Sequence, residues 1–315
     1  MFMDLKSVLI TGCSDGGIGS ALAHAFQSRG LHVFATARTL SKMSQLAQLS
    51  NVTLITLDVT KFSSIASAVE IVKSKTGGTL DYLVNNSGVG YVTPTLDIDI
   101  DVAKGLFDVN VWGVLAVTQA FAPLVIAANG SIVNVSSAGG CLYPPWLSAY
   151  TASKAALTTL SETLRLEMAP FGVKVLTVVT GVVESNFFEN TPEYKLPSTS
   201  RYKPIEARIA TRARGEDYQS RMNAQKYAHR VVNDVLQSAS GKIYRGKMAS
   251  IVRYASAYLP TFVLVSESSL SQYPIATDIR LGLVAVETNW LKHVPNGRSA
   301  KGLECQCGVS RCVER

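Results

Sequence analysis

Short apolar stretches alternate with helical patterns along most of the chain, and this alternation most constrains the fold. The predicted strands are residues 7–11, 31–36, 52–57, 80–84, 131–135, 173–179 and 243–245. Near-continuous apolar runs of this length are typical of parallel strands that are buried on both faces. Strands that alternate with helices predict an α/β fold, a doubly wound parallel sheet in a single domain. An apolar content of 47% is ample for its core.

A glycine-rich turn, residues 11–19, joins the first strand to a helical stretch over residues 18–29. Such glycines let the backbone turn sharply and approach a pyrophosphate, which the partial positive charge of the helix N-terminus attracts. Because a predicted strand precedes this turn and a predicted helix follows it, the turn indicates dinucleotide binding. The alternative is a tight turn that binds no ligand.

Tyr150 and Lys154 are four residues apart on a predicted helix and therefore project from one face. A phenol has a reference pKa of roughly 10. A fixed ammonium nearby stabilises the phenolate and lowers that pKa, so the phenol can pass a proton to a carbonyl oxygen. Taken alone, such a pair is more often part of an ordinary exposed helix surface.

Together these features resemble the short-chain dehydrogenase/reductase family over residues 5–248, which implies a Rossmann-type fold. The family turn reads Thr-Gly-x-x-x-Gly-x-Gly, and this chain carries one extra residue, with Gly16 as the addition. Two other motifs depart from the family: Ser87 replaces the alanine of Asn-Asn-Ala-Gly, and Thr180 replaces the proline before Gly181. The resemblance implies that the cofactor is contacted by Gly12, Ser14, Gly17, Ile18, Gly19, Asp58, Asn86, Gly88, Val183 and Ser185, together with three of the catalytic residues named next.

The resemblance also implies a catalytic tetrad, which maps onto Asn110, Ser137, Tyr150 and Lys154. Ser137 lies 13 residues before Tyr150, as in the family, whereas Ser136 would be one residue off. In the implied roles, Ser137 hydrogen-bonds the substrate oxygen and Tyr150 donates its proton. Lys154 lowers the Tyr150 pKa and binds the nicotinamide ribose, and Asn110 holds a proton-relay water. Asn110, Tyr150 and Lys154 thus also contact the cofactor, and no metal is required.

The end of the second strand predicts which dinucleotide binds. An acidic residue there would accept the adenine ribose hydroxyls of NAD and repel a 2′-phosphate. This chain has Arg38 instead, and a guanidinium can make a bidentate contact with a phosphate. We therefore predict NADPH as cofactor and reduction as the direction in the cell. The alternative is an ordinary surface arginine.

Three segments beyond the regular alternation concern the substrate. Residues 187–217 interrupt the alternation as a predicted lid over the ligand crevice. The lid cations are Lys195, Arg201, Lys203, Arg208, Arg212 and Arg214. They indicate either an anion-attracting face or a solvated surface. Residues 249–265 are apolar and could form a core helix or contact a lipid surface. Residues 266–315, the C-terminal tail, follow no recognisable pattern, and we expect them to contribute little to catalysis.

Charge and cysteine usage limit the possible partners. The net charge is +7, but no dense Lys/Arg tract or nucleic-acid motif accompanies it, so nucleic-acid binding is not expected. No uninterrupted apolar run reaches the ~18 residues of a membrane span. Cys305, Cys307 and Cys312 are close in sequence, but even with His293 their spacing fits no usual zinc site.

Five cysteines and no signal peptide before the first strand suggest a reducing compartment. We expect a cytoplasmic protein, with peripheral attachment to endoplasmic reticulum or a lipid droplet left open. The family resemblance implies a homo-oligomer in which the helix that carries Tyr150 packs against its copy.

Within the family, the chain is most similar to fungal NADPH-dependent 1-acyldihydroxyacetone phosphate reductases. Residues 202–206 and 241–247 contribute to that similarity. It implies reduction of a ketone or aldehyde to an alcohol, with 1-acyldihydroxyacetone phosphate as one substrate. Two alternatives remain open: a reductase of polyketide-derived, steroid or retinoid carbonyls, and a non-catalytic NADP-binding regulator.

Overall fold

The computed structural model describes residues 5–188, 195–218 and 220–258. Seven strands form one sheet in the order β3-β2-β1-β4-β5-β6-β7, and every neighbouring pair is parallel. The strands are β1 (Ser7–Ile10), β2 (His32–Ala37), β3 (Val52–Thr56), β4 (Tyr82–Asn85), β5 (Ser131–Ser137), β6 (Lys174–Thr180) and β7 (Gly241–Arg245). The predicted doubly wound parallel sheet is confirmed.

Helices cover both faces of the sheet. They are α1 (Ile18–Gln27), α2 (Phe62–Thr76), α3 (Ile100–Phe107), α4 (Gly113–Ala127), α5 (Ser148–Met168), α6 (Glu206–Ala213), α7 (Ala224–Leu236) and α8 (Ala249–Tyr258). One core lies under α1 and α7 and includes Phe26 and Tyr227. The other lies under α2 and α4 and includes Ile65 and Phe121.

The order of the strands positions the ligand crevice. The chain runs outward from β1 to β3 and then returns to the other side of β1 with β4. In open α/β sheets, ligands bind outside the carboxyl ends of the strands at this reversal. The glycine turn follows β1, and Asn86 to Gly88 follow β4, so the two predicted cofactor motifs lie at the same edge of the sheet.

A line of buried polar side chains crosses the second core. Asn85 and Asn134 are register partners on β4 and β5, and Asn85 Nδ2 donates to Asn134 Oδ1 at 2.9 Å. Asn85 Nδ2 also donates to Thr118 Oγ1 on α4 at 3.0 Å, and Asn134 Nδ2 donates to Ser161 Oγ on α5 at 2.8 Å. These hydrogen bonds tie two strands and two helices together where water has no access.

Helices α3 and α4 join through a π-helical turn, Asp108–Trp112, into one helical stretch over residues 100–127. In the described part of the chain, this stretch is the one helix that is long and apolar enough to cross a membrane, with a mean hydropathy of 1.7 over its most apolar window. Half of that window is buried, and α4 packs on β4, β5 and α2, as the core helix of an α/β sheet does. The sequence-based prediction counted only uninterrupted apolar runs, so it did not identify this stretch, which is apolar only as an average over its window.

The predicted strands agree with the observed ones within two residues at each end, and the first helix ends two residues early. Of residues 249–265, the structure describes 249–258 as α8. This helix buries Ala249 and Val252 but exposes Ile251, Tyr254 and Tyr258, so only one side of it packs on the protein. Residues 259–265 and the C-terminal tail, with its three cysteines and His293, lie outside the described residues.

Candidate active site

The glycine turn after β1 has the geometry that a pyrophosphate requires. Gly12 and Gly16 adopt φ values of +75° and +74°, which favour glycine. A methyl group on Gly19 would lie 2.2 Å from Gly12 O, so only hydrogen fits there. Helix α1 begins at Ile18, its N-cap residue Gly17 makes no side-chain cap, and its first turn contains no acidic residue. The free N–H groups at the start of this helix, which begins four residues after Ser14, therefore suit an anion.

The loop after β4 is fastened to this turn. Thr11 Oγ1 accepts hydrogen bonds from the backbone N–H groups of Asn86 and Ser87, each at 3.0 Å. Asn86 Nδ2 donates to Thr11 O at 2.9 Å and to Gly12 O at 3.1 Å. The two predicted cofactor motifs thus form one rigid unit, and Thr11 is a linking residue that the sequence analysis did not single out.

Arg38 and Asp58, the two residues predicted to contact the adenosine part of the cofactor, lie near each other. Arg38 follows the last residue of β2 and is exposed, and Asp58 follows β3. Although burial raises the pKa of Asp58, hydrogen bonds from Thr60 and the charges of Lys61 and Arg38 lower it below the ordinary value. Asp58 is therefore a fixed negative charge, and Arg38 is an exposed cation beside it, open to a phosphate.

Ser137, Tyr150 and Lys154 come together at the carboxyl end of β5. Ser137 is the last residue of β5 and lies beside Tyr150: a methyl group on Gly139 would lie 3.3 Å from Ser137 Oγ and 3.6 Å from Tyr150 Cε1. Ser136 points to the opposite face, where its Oγ contacts Lys154 O at 3.1 Å and Thr158 Oγ1 at 2.7 Å. This alternation is the ordinary geometry of a strand. It agrees with the choice of Ser137 over Ser136 that the spacing predicted.

Lys154 and Asn110 face Gly88 from two sides. A methyl group on Gly88 would lie 3.3 Å from Lys154 Nζ and 3.3 Å from Asn110 Oδ1. The ammonium of Lys154 donates to Val135 O at 3.0 Å. The amide of Asn110 accepts from Val89 N at 2.9 Å and donates to Val89 O at 2.9 Å and Ser153 Oγ at 3.0 Å. Lys154 and Asn110 thus border one space beside the β4 loop.

The π-helical turn contains Asn110, which is fully buried. A π turn widens the backbone spacing locally, and such turns occur often at functional sites. The sequence analysis selected Asn110 from the family motif but gave no sign of the π turn, because nothing in Asp-Val-Asn-Val-Trp itself disfavours an ordinary helix.

Burial shifts the pKa values of both members of the Tyr150–Lys154 pair. Burial raises the pKa of Tyr150 to about 12, although the hydrogen bond with Ser137 acts in the lowering direction. Burial lowers the pKa of Lys154 to about 8. Loss of hydration is the largest cause of the raised Tyr150 pKa, and the Tyr218 side chain acts in the same direction. The predicted lowering of the Tyr150 pKa by Lys154 stays a prediction. Tyr150 keeps its proton at neutral pH and is available as a donor.

Comparison with known proteins identifies the family. The family model described as short chain dehydrogenase matches residues 6–195. The chain belongs to the short-chain dehydrogenase/reductase family. It is 53% identical over 261 residues to short-chain dehydrogenase ptmH of Penicillium ochrochloron, covering 83% of this chain and 96% of that protein.

Two further comparisons bear on the cofactor and on the predicted subgroup. The chain is similar to the crystal structure of a short-chain dehydrogenase from Burkholderia cenocepacia in complex with NADP, with a TM-score of 0.66 and 25% identity over 84% of this chain and 97% of that one. It is also 43% identical over 204 residues to NADPH-dependent 1-acyldihydroxyacetone phosphate reductase of Schizosaccharomyces pombe, covering 63% of this chain and 68% of that protein. The predicted resemblances to the family and to such a reductase are confirmed.

The loop after β6 departs from the family motif at Thr180 but remains fixed. A methyl group on Gly181 would lie 2.1 Å from Lys247 O, and Val182 pairs with Lys247 in an antiparallel bridge. Val183 is buried and bridges to Met222, and Ser185 is partly buried two residues further on. Bridges on both sides thus hold the loop without the family's proline.

Ion pairs within the described part of the predicted lid engage several of its cations. Lys203 pairs with Glu206 at 2.9 Å, Arg214 pairs with Glu216 at 2.7 Å, and Arg212 pairs with Asp217. Residues 189–194 of the lid lie outside the described residues. At least three of the six cations are therefore engaged within the described part of this segment, which weakens the interpretation of its surface as a phosphate-attracting one.

Asp15, the acidic member of the glycine turn, was missed by the sequence analysis. Its Oδ2 accepts from Ser44 N at 2.9 Å and Ser44 Oγ at 2.8 Å, and its backbone N–H donates to Lys42 O at 2.7 Å. These bonds join the glycine turn to the segment that follows Arg38.

Among the described residues, no cluster of three or more His, Cys, Asp or Glu side chains could hold a metal ion.

Proposed function

We propose that the protein is an NADPH-dependent reductase that converts a ketone or aldehyde to an alcohol. The observation that carries the proposal is the placement of Tyr150 beside Ser137 at the carboxyl end of β5, with a phenol that keeps its proton at neutral pH. A protonated phenol in this position is an acid, and an acid is what reduction of a carbonyl needs.

Each residue of the predicted tetrad has its own role in the proposed reaction. A bound NADPH supplies a hydride, which is its ordinary chemistry. The hydroxyl groups of Ser137 and Tyr150 hydrogen-bond the carbonyl oxygen and orient it. Tyr150 transfers its proton to that oxygen as the carbonyl carbon gains the hydride, so the products are an alcohol and NADP. The Lys154 ammonium stabilises the phenolate that remains, and Asn110 positions the water that returns a proton to it.

The choice of NADPH rests on Arg38. An exposed guanidinium directly after β2, where NAD-binding relatives would need a carboxylate, favours a 2′-phosphate. The relative from Schizosaccharomyces pombe is named as NADPH-dependent, and the Burkholderia cenocepacia structure is a complex with NADP; both support the same cofactor for this chain.

Oxidation of NADPH by the purified protein across a panel of ketones and aldehydes tests the proposal. Tyr150→Phe should lower kcat/KM by about 10²-fold or more, since a general acid contributes about 10²–10⁴-fold. The matched control is Tyr258→Phe, a residue 79% exposed on α8, which should leave the rate unchanged. Equal turnover by wild type and Tyr150→Phe would refute the proposal.

Reduction of 1-acyldihydroxyacetone phosphate is a second candidate because of the similarity to the yeast reductase. Lys195 and Arg201 are exposed cations of the lid that could meet its phosphate. Including this substrate in the panel, with Arg201→Ala, separates it from neutral ketones. NADPH binding without turnover of any carbonyl would favour a non-catalytic NADP-binding protein instead.

A further inference from the structure

Three aromatic side chains form a continuous strip that starts at Tyr150. We define the aromatic strip as Phe187, Phe188 and Tyr218. Ring centroids are 5.6 Å apart between Tyr150 and Phe187, 5.3 Å between Phe187 and Phe188, and 5.6 Å between Phe188 and Tyr218. All three residues are partly exposed, as the wall of a crevice would be. These spacings lie within the range of favourable ring contacts.

Phe187 spans the distance from Tyr150 to the loop after β4. A methyl group on Gly90 would lie 2.7 Å from Phe187 Cζ, so the ring lies directly on that glycine. Gly88, two residues earlier, faces Lys154 and Asn110. A carbonyl that reaches the Tyr150 hydroxyl must therefore lie in a space that Phe187 borders.

The far end of the strip is held by glycine and arginine. Phe188 packs on Gly215, whose φ is +68° and where a methyl group would lie 2.5 Å from Phe188 Cδ2. The Arg221 guanidinium lies 5.2 Å from the centre of the Phe188 ring and donates to Gly215 O at 2.5 Å. Arg212 lies 5.9 Å from the centre of the Tyr218 ring and is paired with Asp217. Both arginines thus hold the rings in position.

The chain segments that carry the strip are also tied to each other. Met222 N donates to Val182 O at 3.0 Å, and Glu184 N donates to Met222 O at 2.9 Å. These bonds join the segment leading to Phe187 with the segment following Tyr218. The rings are therefore a preformed wall, and a preformed wall binds without the cost of ordering side chains.

We propose that the aromatic strip selects carbonyl compounds in which the C=O group is conjugated to a flat ring system, and that Phe187 is the residue that determines this specificity. The inference rests on the carbonyl reductase activity proposed above. A flat ring gains stacking contact with Phe187 in addition to burial, whereas a flexible chain gains burial alone and loses rotational freedom on binding.

Three ketones of equal carbon number test the inference: α-tetralone, its saturated analogue decalone, and a linear methyl ketone. Wild type should prefer α-tetralone to each of the others in kcat/KM by about tenfold, near the upper end of what one aromatic contact contributes. Phe187→Leu keeps apolar bulk without a ring and should abolish most of this preference, as should Phe187→Ala. Phe62→Ala, at a phenylalanine 80% exposed on α2, is the matched control and should preserve the preference.

A binding measurement separates this inference from the proposed function. Calorimetric titration of the three ketones into Tyr150→Phe with NADP reports selection without turnover. If Tyr150→Phe binds α-tetralone more tightly than the other two ketones, and Tyr150→Phe/Phe187→Leu does not, the inference is supported. This holds even if wild type reduces none of the three ketones, a result that would refute only the proposed reductase activity. Decalone bound or reduced as well as α-tetralone, or a preference unchanged by Phe187→Leu, would overturn the inference and leave the reductase standing.

Discussion

The burial of Lys154 affects the charge that this residue contributes to the proposed reaction. Its ammonium lies 3.0 Å from Val135 O, the residue is 5% exposed, and burial lowers its pKa to about 8. Protonation is the form that stabilises a Tyr150 phenolate. The charge of this one residue therefore sets the upper pH limit of the proposed reaction.

We predict that kcat for reduction is full below about pH 8 and falls as pH rises through that value, because neutral Lys154 no longer stabilises the phenolate. Tyr150 does not contribute to this decline, since its pKa of about 12 is far higher. The pH profile of wild type is compared with that of Lys154→Arg, whose guanidinium stays charged. Residual Lys154→Arg activity with the same decline would assign the decline to another group.

Arg38 should determine the preference between the two dinucleotides. Arg38→Asp removes the cation and adds a charge that repels a 2′-phosphate, so the ratio of kcat/KM for NADPH to that for NADH should fall by about tenfold to a hundredfold. Arg230→Asp makes the same charge change at an exposed position on α7 and serves as the control. An unchanged ratio in Arg38→Asp would exclude Arg38 as the discriminator.

At the scale of elements, Asp15 links the glycine turn to the segment after β2. Removing its carboxylate frees Ser44 N and Ser44 Oγ, and the segment that follows Arg38 loses its fixed position. Asp15→Ala should raise KM for NADPH by roughly tenfold, since each lost hydrogen bond costs about 0.5–1.5 kcal/mol, while KM for the carbonyl compound stays the same.

The control for Asp15 is Asp101→Ala, because the Asp101 carboxylate is 90% exposed and pairs with its helix neighbour Lys104. Equal increases in KM for NADPH and for the carbonyl compound would instead indicate general loosening of the site. Asp15→Asn should give a smaller effect than Asp15→Ala, because the amide oxygen can still accept one of the bonds.

The sequence predicts the strands and the spacing of Ser137 and Tyr150 better than it predicts contacts between distant segments. Buried strands are short runs of apolar residues, and Ser137 and Tyr150 have a fixed spacing between one strand and one helix, so both are visible locally. The Asp15–Ser44 contact joins residues 29 apart across two elements, and the Phe187–Gly90 contact joins loops after β6 and β4. Such contacts depend on how the chain folds back, which no local pattern contains. The pKa of Tyr150 depends likewise on burial.

At the scale of the whole molecule, all candidate site residues and both cores precede residue 259. We predict that a chain ending at Val265 unfolds cooperatively at a temperature close to that of the full chain and keeps its kcat/KM. Thermal unfolding and NADPH oxidation measure the two properties. Loss of turnover in a truncated chain that still unfolds cooperatively would assign the C-terminal tail a role in the reaction.

The buried line from Asn85 through Asn134 to Ser161 also limits which sheets this chain can form. β4 has three apolar residues of four, and β5 has three of seven, so polar side chains also contribute to the alignment of the two strands. A shift of one residue would turn the two asparagines to opposite faces. It would leave their amides unpaired away from water, at about 1–3 kcal/mol for each group. The hydrogen bonds therefore make a pairing of β4 and β5 that is shifted by one residue less stable than the native one.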